Sequence, residues 1–172
     1  LTTYASTPLG KDMCKKLAPM DDLTSIRRAQ KETSDALSRI LQRGSISFSG
    51  ARDIRDSLLR LQVGASLGIV ELLNISSLLK TASRAKSYGR RENDEETQDS
   101  LDERFQGIEP LTPLQHEIER CIISEEEIAD DASPALRSIR RSMRAASDKI
   151  HTQLNSIVNS SRSLLQDAVI TM

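Results

Sequence analysis

The stretch HEIER, residues 116–120, is one position away from a zinc-hydrolase signature. In H-E-x-x-H two imidazoles stand one helical turn apart on one face, and the glutamate serves as general base. Here Arg120 occupies the place of the second histidine, and a fixed cation opposes a metal. Cys121 lies five residues from His116, on another helical face, and His151 has no ligand set near it. These residues predict an ordinary amphipathic turn and no metal site. SRAK, residues 83–86, has the S-x-x-K shape of a serine nucleophile beside a lysine, but the S-D-N and K-T-G companions are missing. Gly10 and Lys11 lack the leading glycine of a phosphate loop and are followed by Asp12, whereas such a loop needs Ser or Thr to hold the metal ion. The chain is therefore expected to carry no catalytic residue, metal or cofactor of its own.

One pattern is sharper. Arg137, Arg140, Arg141 and Arg144 follow the i, i+3, i+4, i+7 rule and share one edge of a helix, roughly 120° from the apolar seam of Leu136, Ile139 and Met143. Such an edge could hold nucleic-acid phosphates. The plainer alternative is a solvated face paired with Glu125, Glu126, Glu127, Asp130 or Asp131 just upstream. No aromatic residue stands beside the arginines to stack on bases.

The elements that would position these arginines are helical. Aromatics are 2% of the 172 residues, Trp is absent, charged residues are 28%, and there are only 7 Gly and 5 Pro. A core of Leu, Ile, Val, Ala and Met follows, in an all-α fold. Thr7 and Pro8 open a first helix, Asp21 or Asp22 a second that Gly44 ends, and a third runs from about Arg52 to Gln62. In the second, Leu23, Ile26, Gln30, Thr33, Leu37, Ile40 and Leu41 form a stripe; in the fourth, starting at Ser66, Leu72, Ile75, Leu79 and Ala82 do. Thr112, Pro113 and Gln115 suggest a capping box before Leu114, Ile118, Cys121 and Ile122. Ser133 and Pro134 start the longest helix, whose seam continues through Ile150, Leu154 and Ile157 to Ala168, a rod of about 50 Å.

Charge is segregated: net +8 over residues 1–91, −13 over 92–131 and +4 over 132–172. Residues 90–104 show no apolar periodicity and predict a mobile acidic linker. The organisation expected is a multi-helix core over 1–133 and a long helix over 134–172. No stretch approaches the roughly 20 apolar residues that span a bilayer, no secretory signal is visible, and the two cysteines suit a reducing cytoplasm. The closing AVITM, residues 168–172, resembles the start of a strand. A lone strand is unstable, so the chain is expected to be a piece of a larger protein.

In order, TPLGKDMCKKLAPMDDLTSIRRAQKETSDAL, GARDIRDSLLRLQVGASLGIVELLNISSLL and SPALRSIRRSMRAASDKI with its LQDAVITM ending resemble the MutS family of DNA-repair ATPases. GARDIR and LQDAVITM are similar to the bacterial second subfamily, which ends in a Smr nuclease domain. The resemblance covers nearly the whole chain. It implies a helical core, then a protruding lever helix leading into clamp strands, with a returning helix to cover the seam. For the parent it implies a homodimer that uses ATP and magnesium. That parent would bind branched DNA as an endonuclease, suppress homologous recombination, and split collided ribosomes through ribosomal RNA. None of the ATP-binding or nuclease motifs matches a position here. The competing expectation is a free-standing helical adaptor that forms a coiled coil through the seam.

Overall fold

The computed structural model describes residues 1–90 and 98–161. Among them the fold is all-α, with seven helices: α1 Pro8–Lys15, α2 Leu23–Arg43, α3 Arg55–Gln62, α4 Ile69–Tyr88, α5 Asp102–Gln106, α6 Thr112–Cys121 and α7 Pro134–Ser160. No helix of the described residues is long and apolar enough to cross a membrane. The chain divides into two compact units, Leu1–Glu126 and Glu127–Met172.

Local sequence sets most of the helix starts. Thr7 accepts from the Gly10 amide at 3.0 Å, Asp22 from Ser25 at 2.7 Å and Ser133 from Leu136 at 3.1 Å, each satisfying an amide that the first turn leaves free. At the far end of α2, Gly44 has φ +79°, which a residue without Cβ adopts at no steric cost. Three starts differ from the sequence expectation, the first being that of α3, at Arg55 rather than about Arg52. α4 begins at Ile69 rather than near Ser66, because Glu71 reaches back to the Gly68 amide at 2.8 Å. Thr112 lies inside α6 instead of capping it: Leu111 precedes the helix at φ 44°, and no side chain caps the end.

In the first unit α4 packs on α6 and α5. Ile75 and Leu79 of α4 meet Ile118 and Ile122 in the core, flanked by Ile54, Leu67, Ile69, Leu72, Leu73 and Cys121. The stripe expected on α4 is thus the buried one. Glu119 fastens the same contact, accepting from Ser76 at 2.7 Å and pairing with Lys80 at 2.7 Å.

α2 is the reverse of its expectation. Its stripe faces outward, with Leu37 58% and Leu41 78% exposed, while Arg39 on the opposite face is buried. That polar face holds down residues 98–106. Arg39 binds Asp99 and Asp102, Asp35 accepts from the Ser100 amide and hydroxyl, and Glu32 pairs with Arg104 at 2.8 Å. Within the stretch expected to be an acidic linker, Asp99 and Asp102 are docked onto α2 while Glu103 is exposed. Residues 91–97, the last turns expected of the long helix and the strand-like AVITM lie outside the described residues.

Candidate nucleic-acid interface

α7 is 27 residues long, about 40 Å at 1.5 Å per residue. Its interior contains neither Gly nor Pro after Pro134, so nothing in the sequence breaks the ladder of backbone hydrogen bonds. No residue of it is buried. Ile139, Met143, Ile150 and Ile157 are all more than half exposed along one seam.

The four arginines occupy the edge that their spacing predicts. Asp130 bridges two of them. Its Oδ1 takes a hydrogen from Arg140 Nη1 at 2.5 Å and its Oδ2 one from Arg144. Arg140 Nη1 also donates to the Ile128 carbonyl at 2.7 Å, and Arg137 Nη2 lies 3.5 Å from Asp131. The Arg140 guanidinium, then that of Arg144, hold the Asp130 carboxyl below the usual carboxylate range. Arg141 is exposed and has no ion-pair or hydrogen-bond partner among the described residues. The acidic partners expected upstream are therefore present, and they are Asp130 and Asp131. What remains is a guanidinium edge, closed at three positions and open at one, on a continuous helix.

The other candidate motifs come apart in space. His116 is exposed, and Arg120 pairs with Glu117 at 2.6 Å. Among the described residues no group of three His, Cys, Asp or Glu side chains could hold a metal ion. The Lys86 ammonium donates to the Ile108 carbonyl at 2.8 Å and lies 3.9 Å from Glu109, which draws it away from work as a base for Ser83. Gly10 and Lys11 sit inside α1 rather than in a loop.

Comparison with known proteins decides the family. No family model matches the chain. Endonuclease MutS2 of Lachnoclostridium phytofermentans is 54% identical over 179 aligned positions, covering 100% of this chain and 22% of its own length. Endonuclease MutS2 of Agathobacter rectalis is 51% identical over 174, again 100% and 22%. That of Lachnospira eligens is 47% identical over 173, covering 99% of this chain and 21% of its own. The chain belongs to the MutS2 family.

This MutS2-family chain spans about a fifth of the length of the relatives it matches. One charged centre of this MutS2-family chain escaped the sequence reading. Arg39 Nη2 donates to Asp99 at 2.7 Å and also to Asp102, which is 1% exposed, while the guanidinium carbon stands 5.1 Å from the Phe105 ring centre. Gly89 permits that packing, because a Cβ there would lie 2.1 Å from Phe105 Cβ. The partners are some 60 residues apart in sequence, beyond any local spacing rule.

Proposed function

We propose that this chain is the helical core and lever of a MutS-type ATPase and endonuclease, and that α7 contributes to the surface holding nucleic acid. Four arginines on one edge of an unbroken helix carry the reading, because phosphate neutralisation supplies most sequence-independent affinity for nucleic acid. The name Endonuclease MutS2 on relatives that match end to end of this chain supports it. The exposed seam on α7 is what a lever helix would offer a helix from elsewhere in the same protein. In this reading the parent is a cytoplasmic homodimer acting on branched DNA, suppressing homologous recombination and splitting collided ribosomes through ribosomal RNA. Residues beyond those described would hold its ATP and magnesium.

Fluorescence anisotropy of a labelled four-way DNA junction, a duplex and a ribosomal RNA fragment, titrated between about 50 and 200 mM salt, tests the interface. Binding should weaken steeply with salt, and Arg141→Ala should weaken it further, with a log–log slope shallower by about 1. Affinity and slope that are indifferent to Arg141 would refute the interface.

A further inference from the structure

The carboxylate of Asp130 binds Arg140 through one oxygen and Arg144 through the other. A phosphodiester also presents two anionic oxygens on one centre, and guanidinium groups accept either anion in the same fork. Asp130 therefore occupies the place that a phosphate would take on this edge. Its neighbour Asp131 stands against Arg137, and both lie just upstream of Ser133, whose side chain caps the first turn of α7. The cap and the short connection keep these carboxylates close to the arginines at high effective concentration. The Arg144–Asp130 pair is solvent-exposed, at 71% and 41% of the side chains, and Arg140 keeps 32% of its side chain exposed. Such pairs are weak and screened by salt, so a polyanion can open them.

We propose that Asp130 is an internal stand-in for a nucleic-acid phosphate: it closes Arg140 and Arg144 in the free protein and is displaced when nucleic acid binds. The inference rests on the reading of α7 as a nucleic-acid surface. The Ile128 carbonyl contributes by keeping Arg140 in place when the carboxylate leaves. In the resting state Arg141 is the open contact from which a backbone phosphate begins the exchange. The consequence is a threshold: a ligand must offer enough phosphate density to compete with a tethered carboxylate, so weakly charged anions are refused.

The test uses the full chain and a labelled DNA duplex across a salt series. Asp130→Asn should tighten binding about tenfold at low salt and steepen the log–log slope by no more than about 1, since both arginines meet phosphates in either bound state. Asp148→Asn removes one carboxylate from within α7 without releasing an arginine, and should change the affinity far less. The Asp130→Asn, Arg140→Gln, Arg144→Gln triple variant should lose the gain. If Asp130→Asn fails to fold by circular dichroism, Asp130→Ser removes the charge while keeping a short polar side chain. Should the Asp130 variant behave like Asp148→Asn while Arg141→Ala still weakens binding, the stand-in is wrong and the interface survives. Should the Arg141 and Asp130 variants both bind as the parent chain does, the interface is wrong and the stand-in falls with it.

Discussion

Arg39 and Arg140 sit on different helices and differ in how far their roles can be seen in advance. The arginines of α7 obey a spacing rule within eight residues, and Asp130 and Asp131 stand immediately before them, so both edge and partners are local features. Arg39 shows no such sign. It lies opposite the leucines of α2, where a polar residue normally meets water, and its carboxylates arrive from residues 99 and 102. Its hydrogen bond, ahead of its charge, holds the Asp99 carboxyl below the usual value of 3.8. The folded state therefore binds that proton less readily than the unfolded chain does. The stabilisation is fully present above about pH 4 and is lost as acid protonates Asp99 in the fold. Urea midpoints at pH 7 and pH 3 should fall further for the parent chain than for Asp99→Asn; equal falls would mean that the pair contributes nothing to acid sensitivity.

At the scale of elements, legibility follows the reach of the signal. Thr7, Asp22 and Ser133 are visible as caps because each bonds an amide three residues on. α5 is five residues long, too short for any periodicity, and its acidic composition resembles that of solvated chain. The distant Arg39 gives the buried Asp102 a charged partner. α6 fails differently: TPLQ has the letters of a capping box, yet the chain enters from Leu111 in a left-handed turn, which places Thr112 within the helix. A non-glycine residue there bears about 1–2 kcal/mol of strain. Leu111 is 48% exposed, so its side chain has moderate packing to lose. Leu111→Gly should raise stability by about 1 kcal/mol, read as a higher denaturant midpoint with an unchanged slope. A lower midpoint would show that leucine packing outweighs the backbone strain.

For the whole molecule, an all-α fold followed from composition and period, and family membership from stretches spread along the chain. Which face of α2 packs did not, because pattern reports what a helix could bury and not which neighbour it meets. The exposed seam of α7 has the same character. If α7 transmits displacement within a MutS-type parent, Ile150→Asp with Leu154→Asp should uncouple ATP turnover from nucleic-acid binding, measured as loss of DNA stimulation of hydrolysis. Stimulation at the original strength would dismiss that role. The polar fastening of α2 to residues 98–106 has a thermodynamic corollary. Heat capacity and denaturant sensitivity both scale with the apolar surface uncovered on opening. Parting Arg39, Asp35 and Glu32 from their partners uncovers the Phe105 face under Arg39 but not the leucines of α2, which already face outward. Separation there would leave a small calorimetric signature, yet it would shift with ionic strength and appear in the hydrogen exchange of the Ser100 amide, which Asp35 holds at 2.9 Å.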